Sequence, residues 1–241
     1  MINRETLSAQ ATRSQTTEIN IAREYCQHLF LNAFYRQKGS ERVMFKGGTA
    51  LKIVYGSPRF SEDLDFSGFG VNVHQIEDWV LATLGEFELS TIEVDIQESK
   101  ATSGGYLAIL NYRIHDYHIR VQLEISLREQ NDVQGQGVLI TSDILPAYTL
   151  TILPETRMVE EKISALLTRS KPRDFFDLYF LLRKGLITPE MKPSLDAVNV
   201  MLQDMSMDFQ SELSQFLPRS HQAVIRDFQS TLSNELNRHG V

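Results

Sequence analysis

The chain has 241 residues, 42% apolar and 23% charged, with a net charge of −7. That is ordinary composition for a globular protein of one large domain or two small lobes, and the acidic balance excludes general coating of nucleic acid while leaving room for a local basic patch that grips one RNA end. No apolar run approaches the ~20 residues of a membrane span, the start Met1-Ile2-Asn3-Arg4-Glu5 lacks a signal peptide's apolar core, and the single cysteine excludes an internal disulfide or a cysteine metal cluster. The reading is of a cytoplasmic protein with no membrane partner.

Residues 1–16 are polar and read as loosely held. From Thr17 to Lys38, Ala22, Tyr25, Cys26, Leu29, Phe30, Ala33 and Phe34 recur at helical spacing. Cys26 lies on that buried stripe and reads as a core residue rather than a reactive thiol. Residues 43 to about 150 read as α/β. Lys46-Gly47-Gly48-Thr49-Ala50-Leu51 makes a tight turn and opens a short helix, striped by Ala50, Leu51, Val54 and Tyr55, which Gly56-Ser57-Pro58 breaks. A strand over Asp63–Phe66 follows, then a helix over 74–84 with Ile76, Trp79, Val80 and Leu84 inward.

Three strands are expected at about 91–97, 106–114 and 118–127. Ser103-Gly104-Gly105 turns ahead of the second, and His115-Asp116-Tyr117 makes a hairpin ahead of the third. His115 and His118 flank that turn with no cysteine or third histidine near, so no zinc site is expected. In the third strand Ile119, Val121, Leu123, Ile125 and Leu127 alternate with Arg120, Gln122, Glu124 and Ser126, one face apolar and the other polar. From Pro154 helices are expected near 155–169, 172–184, 189–203 and 206–237. The division is therefore an N-terminal helix plus α/β core over 1–153 and a helical lobe over 154–241. Phe175, Phe176, Tyr179 and Phe180 read as helix packing, with stacking of Tyr179 on a nucleobase as the alternative.

Alternate residues of a strand share a face, so Asp63 and Asp65 point together while Leu64 and Phe66 enter the core. Paired carboxylates repel unless a cation sits between them, and Mg²⁺ takes that arrangement together with substrate phosphates. The Gly47-Gly48 turn lets backbone approach those phosphates, with Thr49 behind it. If the 118–127 strand lies beside Asp63–Phe66, Glu124 joins the two aspartates. Lys46 reads either as a phosphate contact or as a surface residue. Ser61 reads as a phosphate contact adjoining the metal on the strand face of Asp63. Arg59 is open between a nucleotide's phosphate, its base, and an ion pair with Glu62. Farther on, Lys162 lies eight residues before Ser170 and Asp177 seven after it. In one helix they would be ~22 Å apart; a helical hairpin about Ser170, favoured by Pro172, brings them level. They read either as site residues, with Asp177 orienting Lys162 or acting on an acceptor hydroxyl, or as a salt bridge between packed helices. Asp174 reads as favouring the first turn of its helix.

The glycine pair, helix and acid–hydrophobe–acid strand resemble the nucleotidyltransferase superfamily signature. The fuller string, Lys46 before the glycines, Thr49-Ala50-Leu51 after them and Arg59-x-Ser61-x-Asp63-Leu64-Asp65-Phe66, resembles the AbiEii/AbiGii toxin family, as does the lysine helix followed by Arg173-Asp174-x-x-Asp177-Leu178-Tyr179. The likeness spans about 45–182. It implies an α+β nucleotidyltransferase fold, a mixed sheet with flanking helices and a C-terminal helical lobe. It also implies Mg²⁺ (or Mn²⁺) on Asp63, Asp65 and Glu124, with Lys162 and Asp177 in the active site. The implied activity is transfer of a nucleoside monophosphate from an NTP to an acceptor, with the 3′ end of tRNA foremost, by a toxin of a type IV toxin–antitoxin or abortive-infection system. A cognate antitoxin encoded alongside and a role in phage defence follow from the same likeness. Two alternatives stand beside it: a nucleotide-binding regulatory or scaffold domain without transfer, and a glycosyltransferase holding a nucleotide-sugar through Asp-x-Asp.

Overall fold

The computed structural model describes residues 1–88, 92–129, 133–204 and 207–240. The first residue of the strand expected at 91 and of the helix expected at 206 lie outside them. The chain forms two units, one of residues 1–56 and 60–153 and the other of residues 57–59 and 154–241.

In the first unit the polar N-terminus is not loose but forms α1 (Arg4–Arg13), capped by the Asn3 side chain on the Thr6 amide and burying Leu7 and Ala11. Its anchors are hydrogen bonds that apolar periodicity cannot reveal: the Ile2 amide donates to Tyr25 Oη at 3.0 Å, and the Ile2 carbonyl accepts from His115 Nε2 at 3.0 Å. Helix α2 (Glu18–Phe34) starts at Thr17, whose hydroxyl accepts from the Asn20 amide. Its expected stripe is buried throughout, Cys26 included.

Seven strands build one mixed sheet. They are β1 (Val43–Lys46), β2 (Leu64–Phe69), β3 (Glu93–Thr102), β4 (Gly105–Ile114), β5 (Tyr117–Arg128), β6 (Gln136–Ile140) and β7 (Tyr148–Ile152), in the order β3-β4-β5-β2-β1-β7-β6. Strands β1, β6 and β7 were not foreseen; runs of four or five residues are too short for alternation to declare itself. The β2–β5 and β1–β7 pairs are parallel and the rest antiparallel. The short helix α3 (Gly47–Ile53) follows β1, and α4 (Val73–Glu88) follows β2. Leu64 and Phe66 of β2 and Ile119, Val121, Leu123 and Ile125 of β5 line the buried face. There Phe66 meets Phe34 of α2 and Phe45 of β1, with ring centroids 5.8 and 5.4 Å apart.

The second unit is helical: α5 (Glu155–Arg169), α6 (Pro172–Lys184), α7 (Lys192–Asp204), α8 (Phe209–Leu213) and α9 (Phe228–Arg238). The expected continuous helix over 206–237 is interrupted, as Pro218, which lacks a backbone donor, suits a break. The aromatic run of α6 packs as a core: Phe176 and Tyr179 both meet Phe228, and Phe175 meets Phe209. Among the described residues no helix is long and apolar enough to cross a membrane.

One buried polar pair makes the core of the first unit sensitive to acid. His28 Nδ1 of α2 lies 2.7 Å from Tyr148 Oη of β7, and burial first, then the charge of Lys52, lowers the imidazole pKa from 6.5 to about 4. The unfolded chain takes up a proton that the folded one refuses. Stability is therefore full above about pH 6.5 and declines to about pH 4, by about 3 kcal/mol. Urea titrations across this range should show that decline, and His28→Gln should flatten it; an unchanged slope in the variant would assign the decline to other groups.

Candidate active site

The site is set by where β1 ends. Lys46 closes the strand and Gly47 opens α3 at φ +84°, a left-handed conformation. A Cβ built on Gly47 would lie 2.7 Å from the Asp65 Cβ and overlap the carboxylate. The glycine turn thus presses its backbone directly against Asp65, and a side chain there would displace it.

Across the sheet, Lys46 of β1 pairs with Asp65 of β2, and Asp65 pairs in parallel with Glu124 of β5. Residues in register on adjacent strands share a face at ~4.8 Å spacing. Lys46, Asp65 and Glu124 therefore form one row on the face opposite Phe66. Asp65 is half-buried and Glu124 exposed. Gln122 donates to Glu124 Oε1 at 2.5 Å, and Arg120 donates to Gln122 at 2.9 Å. Farther along the same face an open groove of about 670 Å³ is lined by Met44, Phe69 and Thr151 with Gly70, Gly135 and Gly137.

Asp63 sits one residue before β2, half-buried. Among the described residues no three His, Cys, Asp or Glu side chains are gathered as a metal-binding cluster. Asp65 and Glu124 are in register instead, with Asp63 just outside the strand. That donor set suits Mg²⁺, which is commonly held by one or two carboxylates plus substrate phosphates rather than by an all-protein cage.

Of the expected nucleotide contacts, Thr49 and Arg59 have partners within the protein, and Ser61 lies ahead of the strand. Thr49 is buried and its hydroxyl donates to the Asp63 carbonyl, so it braces the backbone rather than facing a phosphate. Ser61 precedes the first residue of β2 by three, so strand alternation does not govern its direction; its carbonyl accepts from Gln27 Nε2 at 3.0 Å. The carboxylate of Glu62, the ion-pair partner expected for Arg59, meets Arg23 at 3.2 Å; the buried partner found for Arg59 is Asp177. The Arg59 guanidinium is buried in the helical unit, where Nε and Nη2 donate to the two oxygens of Asp177 at 2.8 and 2.9 Å.

That contact completes a triad. The α5–α6 hairpin turns at Ser170 in a left-handed conformation, with Pro172 in the first turn of α6. Arg169 clasps the buried Asp174 through two bonds of 2.8 and 2.7 Å. Across the hairpin Lys162 Nζ donates to Asp177 Oδ2 at 2.7 Å. The Asp177 side chain is 1% exposed. Burial alone would raise its pKa, but Arg59 and Lys162 outweigh burial and hold the carboxyl down at about 2. With both oxygens engaged, Asp177 orients two cations, and the triad keeps one net positive charge. Sequence reasoning missed Gln27 and the partner of Arg59. A glutamine on the buried side of an apolar helix was the available signal for the first; nothing local signals a pairing 118 residues away.

Two outcomes follow. Gly47→Ala should cost about 1–3 kcal/mol through clash and backbone strain, whereas Gly137→Ala, with no atom within 4 Å of the new Cβ, should be nearly neutral; comparable thermal shifts would refute the packing described for Gly47. Asp177→Asn should lose about 3–5 kcal/mol by leaving two cations without their counter-charge. Its carboxylate contributes stability above about pH 3.8 that is lost as pH falls through about 2, so chemical denaturation near neutrality should expose the deficit in full.

Comparison with known proteins gives the fold and the family. Two solved structures from Helicobacter pylori share the fold. JHP933 is 20% identical with a TM-score of 0.61, over 93% of this chain and 96% of its own. A protein provisionally described as a nucleotidyltransferase is 20% identical with a TM-score of 0.62, over 92% of this chain and 98% of its own. A search of curated proteins finds no match. The family model described as nucleotidyl transferase AbiEii toxin, Type IV TA system, matches residues 29–236. The chain belongs to this AbiEii family of nucleotidyl transferase toxins.

Proposed function

We propose that the chain moves a nucleoside monophosphate from an NTP to an acceptor hydroxyl, with the 3′ end of tRNA as acceptor. It would do so in the cytoplasm, as the toxin of a toxin–antitoxin or phage-defence pair whose antitoxin is encoded alongside. The observation that carries the reading is the row Lys46–Asp65–Glu124 beside the Gly47 turn. Asp65 and Glu124, with Asp63 as a third donor, would hold Mg²⁺ or Mn²⁺, which when bound neutralises phosphate charge and stabilises the oxygens that attack and depart. The chain's own groups supply the rest. Lys46, at the end of the row, offers positive charge to the triphosphate. The bare backbone at Gly47 leaves room for a phosphate close to Asp65. Glu124, exposed, takes the proton of the acceptor hydroxyl. The acceptor oxygen bonds to the α-phosphorus as the bond to the bridging oxygen breaks, and pyrophosphate leaves. In the helical unit Asp177 positions Lys162, which has ammonium donors beyond the one it gives to Asp177.

Incubation with each α-³²P-labelled NTP, Mg²⁺ and total RNA should label tRNA, and chelation should stop it. Asp65→Asn should lower the rate by about 10³-fold or more without unfolding the protein, and Glu124→Gln should reduce kcat. Label bound but never transferred would identify a nucleotide-binding regulator, and turnover of UDP-sugars in place of NTPs a glycosyltransferase.

A further inference from the structure

Strand β2 begins only at Leu64, so the carbonyls of Ser61, Glu62 and Asp63 lie outside its ladder and need donors from elsewhere. Two buried side chains meet all three. Gln27 of α2, 2% exposed, gives its amide Nε2 to the Ser61 and Glu62 carbonyls at 3.0 and 3.1 Å. Thr49 of α3 gives its hydroxyl to the Asp63 carbonyl. One turn before Gln27, Arg23 adds the ion pair to the Glu62 carboxylate at 3.2 Å. The Gln27 amide nitrogen thus donates to two consecutive carbonyls, which fixes the path of the segment that delivers Asp63 and Asp65.

We propose that Gln27 is a positioning residue for nucleotidyl transfer: its amide clamps residues 61–62 so that Asp63 and Asp65 arrive in a single geometry beside the Gly47 turn. The inference rests on the transfer reading above for its consequence, but not for its structural content. The chemistry needs donors with no charge. A cation at position 27 would be buried without a counter-ion, and an apolar residue would leave two carbonyls unsatisfied. Misplacement of a reacting group by about 1 Å is enough to cost up to 10²-fold in rate.

The test uses the full chain. Gln27→Met keeps the volume and removes the donors. Hydrogen exchange followed by mass spectrometry should show faster exchange in the peptide spanning residues 60–66, with the β4–β5 hairpin unchanged. The transfer rate kcat should fall about tenfold or more while Tm moves by only a few degrees. Gln27→Glu supplies a second arm should the first variant fail to fold. A carboxylate beside Arg23 cannot donate to the two carbonyls, so faster exchange at 60–66 and a lower kcat are expected of this variant as well. Unchanged exchange at 60–66 in these variants, or exchange raised equally across the sheet, overturns the clamp. If wild type transfers nothing, the parent reading fails, and the exchange pattern alone then decides the clamp.

Discussion

Two carboxylates at matched positions on adjacent parallel strands are an electrostatic cost that a sheet ordinarily avoids. At the ~5 Å spacing of neighbouring strands, like charges repel by about 1–3 kcal/mol between aqueous and surface-like dielectric. Here the parallel register of β2 and β5 sets Asp65 beside Glu124, and antiparallel pairing sets Lys46 on the other flank of Asp65. A single row thus runs from one cation to two anions, on the face opposite Phe66. The same pairing drives Leu64 and Phe66 against Leu123 and Ile125 on the other face. The core and the acidic pair are therefore one constraint: a slip of one residue would bury the acids and expose the phenylalanine.

The remaining features hold that row in place. Gly47 is glycine because Asp65 occupies the space its side chain would take. Thr49 and Gln27 satisfy the three carbonyls that precede the strand. In the helical unit the same economy appears in charged form, where one buried carboxylate, Asp177, fixes two cations that could not otherwise be kept out of water. Each device fixes the direction of a group that the proposed chemistry uses.

Much of this was legible in the chain. The strict alternation from His118 to Leu127 identified β5 and the face of Glu124, the glycine pair identified the turn, and Pro172 identified the hairpin that joins Lys162 to Asp177. What was not legible has physical reasons. Helix α1 buries only Leu7 and Ala11, too few apolar positions to declare a period, and its cap and tertiary hydrogen bonds help to anchor it. Strands β1, β6 and β7 are too short to show a period. Arg59 looked like a phosphate ligand because its sequence neighbours are acids and a serine, whereas its partner is Asp177, far along the chain. Thr49 looked like a phosphate contact because it follows two glycines, yet its hydroxyl answers a backbone need that exists only once β2 has a defined start. Local pattern identified the acids; long-range satisfaction of buried polar groups decided what their neighbours do.

The proposed transfer requires Asp65 and Glu124 to share one divalent cation. A crystal grown with Mn²⁺ and a non-hydrolysable NTP analogue tests this by anomalous scattering. A peak is expected about 2.0–2.3 Å from oxygens of both carboxylates and of the triphosphate. A bound nucleotide whose metal is held away from either residue would contradict that requirement.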